Sequence, residues 1–258
     1  MSDVVEFVEF AGCRLAYKVA GEGVPVVFVQ GVGVHGDGWL PQVRGMKGVR
    51  SLRFDNRGMG ESQAVANAAL PFGAKITVEQ MAADTLAVMD AAGFGEAHLV
   101  GHSLGGLVAM HVALTARTRV KSLTLMCTFA NGATALKLTP RMFWLGTLSR
   151  VGTRASRRAA FLRIVMSPGR LARMNSSQRQ EEAEKLRPLF GHDLANHPAV
   201  VGPQLDALKR YDATARLGEL AVPVLVMSGA HDPISRPRDA GRVLPNGIPE
   251  AKYLEYAD

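Results

Sequence analysis

His98-Leu99-Val100-Gly101-His102-Ser103-Leu104-Gly105-Gly106 begins as a short apolar strand and ends as the first turn of a helix that runs on to Ala116. Between the two lies a G-x-S-x-G run. In this context it reads as a sharp strand-to-helix turn that lifts a serine clear of the end of a sheet. A turn that tight strains the serine backbone, so small residues must flank it at two positions. The helix starting at Leu104 points its free N–H groups and the positive end of its dipole at the serine oxygen. Ser103 is therefore the candidate nucleophile.

Upstream, Val24–Val29 is a continuous apolar run, as expected of a buried central strand. It leads directly into Gln30-Gly31-Val32-Gly33-Val34-His35-Gly36-Asp37-Gly38-Trp39. Attack on a carbonyl needs hydrogen-bond donors for the oxyanion. One is the Leu104 N–H. The other is expected from this glycine-rich loop, whose backbone can come close, and is placed on the Val32 N–H. His35, Trp39 and His102 are expected to touch substrate near the mouth of the site.

Further outward, two short antiparallel strands turn at Ala11-Gly12. A strand covers Arg50 to Phe54. A helix covers Val78 to Ala92, with apolar residues at Val78, Met81, Ala82, Leu86 and Met89. A strand covers Ser122 to Cys127, and Cys127 reads as a small core hydrophobe. From about Asn131 to Tyr211 the pattern is helical and basic, with stops at Pro140, Pro168, Pro188 and Pro198. Strands resume at Val222 to Met227 and Lys252 to Tyr256. Strands alternating with helices imply α/β architecture with a mostly parallel central sheet covered by helices on both faces.

Four motifs in order resemble those of the α/β-hydrolase superfamily, over essentially the whole chain. They are the loop Gln30–Gly33; Asp55-Asn56-Arg57-Gly58-Met59-Gly60-Glu61-Ser62, similar to the family's D-x-R-G-x-G-x-S turn; the turn at Ser103; and Gly229-Ala230-His231-Asp232-Pro233, similar to the family's G-x-x-D turn. The resemblance implies an α/β-hydrolase core at 1–130 and 212–258 with a helical cap insertion at 131–211. It also implies that Asp232 is the acid that orients a catalytic histidine. Position supports this independently, because a residue directly after a parallel strand lies at the same sheet edge as Ser103. Asp55 is expected to order its own loop with Arg57. Gln30 stands where many members of the family carry histidine, which a backbone donor tolerates.

The resemblance also implies a histidine on the turn after the last strand. No histidine follows His231. The chain therefore reads as a C-terminally shortened copy of a longer hydrolase. Of the seven histidines, His98 begins a strand, His102 is the variable position of the serine turn and His111 lies on the following helix. His231 is expected to point away from its neighbour Asp232. His192 and His197, in the insertion, are the remaining substitute bases. A serine without a nearby base has little nucleophilicity.

The implied activity is hydrolysis of a small carboxylic ester, lactone or related acyl bond. A serine at the turn argues against haloalkane dehalogenase or epoxide hydrolase chemistry, for which the resemblance would demand aspartate. The rival is a ligand-binding or interaction protein that kept the fold and lost the base. No metal or organic cofactor is implied.

The net charge of +7 is concentrated: Lys137 to Arg187 holds twelve Lys/Arg and three Glu. Amid those arginines lie Met142, Phe143, Trp144, Leu145, Val151, Phe161 and Val165. The segment reads as a cap lining an acyl pocket, as a basic amphipathic surface for anionic lipid or an acidic partner, or as helices packed on the core with arginines in solvent. Nucleic-acid binding has only charge to support it. Two cysteines build no disulfide framework. The acidic opening MSDVVEFVEF reads as no secretory signal, and no run approaches the ~20 apolar residues of a membrane span. A cytoplasmic protein acting on a small molecule is the expectation.

Overall fold

The computed structural model describes residues 4–65, 76–135 and 139–257. Lys137 and Asp258 lie outside them. The chain opens with β1 (Glu6–Phe10) and β2 (Cys13–Ala20), antiparallel around Ala11 (φ 46°) and Gly12 (φ 75°). Two successive positive φ values match the right-handed twist of a two-residue hairpin.

There follow β3 (Val24–Val29), α1 (Leu40–Gly45), β4 (Val49–Phe54) and the short β5 (Gln63–Ala64). Next come α2 (Val78–Ala91), β6 (Ala97–His102), α3 (Leu104–Thr115) and β7 (Val120–Met126). After a helical stretch, β8 (Val224–Gly229) and β9 (Lys252–Tyr256) complete a sheet in the order β1-β2-β4-β3-β6-β7-β8-β9. Strands β4, β3, β6, β7, β8 and β9 run parallel. Their C-terminal ends therefore share one edge, and the loops leaving it hold Gln30, Ser103, Cys127 and Asp232. Helix α3 is buried almost all round, which explains why its sequence is apolar on every face.

Between β7 and β8 the chain passes through α4 (Gly132–Ala135), α5 (Pro140–Leu148), α6 (Arg154–Val165), α7 (Pro168–Ala172), α8 (Ser176–Phe190) and α9 (Val201–Arg210). Two of the four prolines expected to stop helices start them instead. Pro140 and Pro168 occupy the first turn, where the missing N–H has no intrahelical partner to lose. Pro188 sits inside α8. The true start signals are Thr139, Thr153, Ser167 and Asn175, whose side chains accept N–H groups of the first turns.

Phe161, Leu162, Leu171, Ala183 and Leu194 form a small core of this segment. Beside it, Arg158 Nε donates to Asp193 at 2.8 Å and its Nη1 donates to Glu184 at 2.5 Å. The Arg158 guanidinium, assisted by the Ala195 N–H and Arg154, holds the Asp193 carboxyl well below the usual carboxylate range. A depressed folded pKa adds stability above the unfolded value and loses it as pH falls through the folded one. Asp193→Asn should therefore lower the urea midpoint at pH 7. The gap to wild type should narrow as pH drops below the ordinary aspartate range. A constant gap across that range would show that the charge contributes nothing.

Candidate active site

Ser103 joins β6 to α3 at φ 52° and ψ −118°. That backbone is strained for a residue with a side chain. The neighbours make it possible: a Cβ on Gly101 would stand 2.4 Å from the Gly105 carbonyl oxygen, and one on Gly105 would stand 2.1 Å from that of Val29. The Ser103 N–H donates to the Met126 carbonyl at 2.9 Å. Its own carbonyl accepts from the Thr128 hydroxyl at 2.7 Å. Leu104 is the first residue of α3, so its N–H belongs to the turn that lacks intrahelical acceptors.

The loop after β3 lies against this turn. A Cβ on Gly31 would come within 3.1 Å of Ser103 Cβ. The buried Gln30 side chain accepts the Gly31 N–H at 3.0 Å, and Asn56 donates to the Gln30 carbonyl at 2.9 Å. Gly33 is held from the helical segment: its N–H donates to Gln204 Oε1 of α9 at 2.8 Å, and its carbonyl meets His192 Nε2 at 2.9 Å. Val32 sits between these anchored residues.

Asp232 follows β8. Its Oδ1 accepts the N–H groups of Ile234 (2.8 Å) and Ser235 (2.9 Å). The buried Ser235 hydroxyl donates to the Thr128 carbonyl at 2.8 Å. Thr128 is therefore bonded to Ser103 on one side and to the Asp232 loop on the other, and both are held at one sheet edge. Sequence reasoning missed this threonine; its position straight after a central parallel strand was the available signal.

Ser103, His102, Gly31, Val32 and Asp232 line one cavity of about 680 Å³. Its far wall comes from the helical segment and is largely apolar, with Met142, Phe161, Ile164, Leu186, Phe190 and Leu205.

Other expected site residues lie elsewhere. Trp39 is buried against Phe28, with ring centroids 5.2 Å apart, and does not line the cavity. It stands at the end of the short helical turn Gly36–Trp39 that closes the loop, and its apolar ring packs back on Val26 and Phe28 of β3. His35 also lies outside the lining; its Nε2 meets the Pro188 carbonyl at 2.7 Å and so ties the loop to α8. Cys127 is no plain core residue. It lines the cavity in a left-handed conformation (φ 47°), and burial together with the Asp232 charge pushes its thiol up to about 12. At that value the thiol stays protonated.

Arg57 pairs with Asp84 of α2 and not with Asp55, which accepts the N–H groups of Gly36 and Glu61. Among the described residues no histidine hydrogen-bonds to the Ser103 hydroxyl or to Asp232. Burial keeps His102 below its usual pKa despite the Asp232 charge. His192 and His197 do line the cavity. His192 has its ring nitrogens on the carbonyls of Asp193 and Gly33. Among the described residues no group of three or more His, Cys, Asp or Glu is arranged to hold a metal ion.

The family model described as "alpha/beta hydrolase fold" matches residues 24–258. The chain belongs to the α/β-hydrolase family. It is similar to the "Putative carbamate hydrolase RutD" of Azorhizobium caulinodans, 28% identical over 244 residues, spanning 93% of this chain and 85% of the relative. It is also similar to the 3-oxoadipate enol-lactonase 1 of Acinetobacter baylyi, 26% identical over 228 residues, 87% of this chain and 78% of the relative. Among solved structures, the enol-lactonase from Burkholderia xenovorans LB400 superposes with a TM-score of 0.76 at 25% identity, covering 97% of this chain and 90% of that one. This α/β-hydrolase thus has relatives named for different acyl substrates on one shared architecture, and its own substrate must be argued from its site.

Proposed function

We propose that this α/β-hydrolase cleaves a small carboxylic ester, lactone or related acyl bond with Ser103 as the attacking group. The observation that carries the reading is the strained Ser103 at the head of α3, facing the same cavity as Val32 and Asp232. Ser103 Oγ adds to the carbonyl carbon and gives up its proton to a base. The Val32 and Leu104 N–H groups hold the oxyanion. Collapse expels the leaving oxygen or nitrogen, and water then releases the acyl group from the serine. Asp232, fixed by the two backbone N–H groups that its Oδ1 accepts, orients an imidazole base with its carboxylate. Tyr256 and Ala257, at and just past the end of β9, line the same cavity as Ser103 and Asp232. The largely apolar far wall suits an uncharged acyl chain. The names of the carbamate hydrolase and enol-lactonase relatives fit the same acyl chemistry.

A second reading, a ligand-binding protein on the same fold, is favoured by one observation: among the described residues no histidine bonds to the Ser103 hydroxyl. A fluorophosphonate probe separates the two. Labelling should be slow in the 258-residue chain, absent in Ser103→Ala, and about a hundredfold faster in Ala257→His, which adds an imidazole to the wall of the cavity that Ser103 and Asp232 line. Labelling that survives Ser103→Ala would remove Ser103 from the mechanism. No labelling in either wild type or Ala257→His would favour the ligand-binding reading.

A further inference from the structure

Helices α5 and α6 pack side by side, and between Thr139 and Asn175 the sequence has eight arginines and no aspartate or glutamate. Solvent-facing helices ordinarily mix both signs. Some of this charge is structural: Arg154 and Arg158 pair with Asp193, and Arg170 pairs with Glu182. Arg141, Arg150 and Arg163 stand exposed on the same stretch.

Large apolar side chains are exposed among them: Phe143 (60%), Trp144 (61%), Val151 (64%) and Val165 (41%). On α5 and the turn after it, Phe143, Thr147 and Val151 follow at intervals of four, with Trp144 and Leu148 one position on. They share one face, while Leu145 is turned inward and buried. Exposed aromatics of this size are uncommon on a protein that meets only water. The patch borders the site, because Met142, Arg150 and Val165 also line the Ser103 cavity.

We propose that the α5–α6 face is a docking surface for an anionic lipid bilayer. The aromatic side chains enter the headgroup layer, where an amphipathic ring is at home, and the arginines meet the lipid phosphates. Charge complementarity selects this occupant: a cationic, acid-free stretch carrying exposed Phe and Trp matches an acidic, partly apolar interface. Contact is peripheral, as among the described residues no helix is long and apolar enough to cross a membrane. Docking does not depend on the chemistry proposed for Ser103.

The chain carries its own reporter. Of its two tryptophans, Trp39 is 3% exposed and Trp144 is 61% exposed. Vesicles of phosphatidylcholine with phosphatidylglycerol should shift the emission to the blue and float the protein. Phosphatidylcholine alone should do neither. Phe143→Ala/Trp144→Ala, read by flotation, should weaken partitioning about tenfold or more. Arg141→Gln/Arg150→Gln/Arg163→Gln should weaken it several-fold, as should raised salt. Ser103→Ala should bind like wild type, and unchanged far-UV circular dichroism shows that the surface variants are folded. Equal binding to neutral vesicles, or no binding to anionic ones, overturns the proposal. So does undiminished binding by the double variant, or an emission shift with soluble polyglutamate but not with vesicles.

Discussion

Asp84→Ala should lower the unfolding free energy by about 3–5 kcal/mol, the range for removing one partner of a buried ion pair. The pair is closed to water, with Arg57 0% and Asp84 1% exposed. Arg57 Nε donates to Asp84 Oδ2 at 2.6 Å, its Nη2 donates to Oδ1, and Gln80 adds a donor at 3.1 Å. Burial raises the Asp84 carboxyl even with Arg57 against it, so charge is costly at this place. The two partners are not equivalent. A guanidinium stripped of its carboxylate cannot shed its proton. A carboxylate stripped of its guanidinium can take one up.

Arg57→Met should therefore cost less than Asp84→Ala. Its remaining Asp84 would have a pKa raised further above the unfolded value. Such a group adds stability below the unfolded pKa and loses it as pH rises, so the Arg57→Met deficit should shrink on acidification. The Asp84→Ala deficit should not. Arg57→Met/Asp84→Leu, which removes both charges, should recover most of the loss. Urea unfolding of the three variants at two pH values tests this. A cost below about 1 kcal/mol for Asp84→Ala would mean that water reaches the pair.

That ion pair also marks where the sequence stopped being legible. The strands β3, β4, β6 and β9 and the helices α2 and α3 could be read because each is set by local periodicity and local breakers. Arg57 could not be assigned its partner, since Asp84 lies 27 positions away and Asp55 lay two positions away. Sequence distance was taken for spatial distance. The same limit explains Cys127 and Thr128: an apolar run shows that a strand is buried but not which residue just past its end turns into a cavity.

The prolines failed differently. A ring that cannot follow a helical residue can open a helix, and only the preceding threonine or serine says which applies at Pro140 and Pro168. The meeting of Ser103, Gly31 and Asp232 at one sheet edge was legible because the geometry of a parallel sheet, and not any contact, brings strand ends together there.

Gly105→Ala should leave a folded protein with a disabled site. The methyl group would stand 2.1 Å from the Val29 carbonyl oxygen and 2.8 Å from that of Gln30, both backbone atoms of the sheet and the adjoining loop. No rotamer change relieves that contact. The first turn of α3 must move away from β3, which overpacking studies price at about 1–3 kcal/mol. The movement separates the Leu104 N–H from the Val32 N–H, because one rides on α3 and the other on the loop leaving β3. A displacement near 1 Å costs on the order of a hundredfold in rate where two groups must act on one atom. Fluorophosphonate labelling of Ser103, measured in the Ala257→His background where it is fastest, should fall by about that factor in Gly105→Ala, with far-UV circular dichroism retained. Gly95→Ala, where an added methyl meets nothing within 4 Å, should leave it unchanged. Equal labelling of the two glycine variants would mean that the proposed oxyanion donors do not depend on how closely α3 packs against β3.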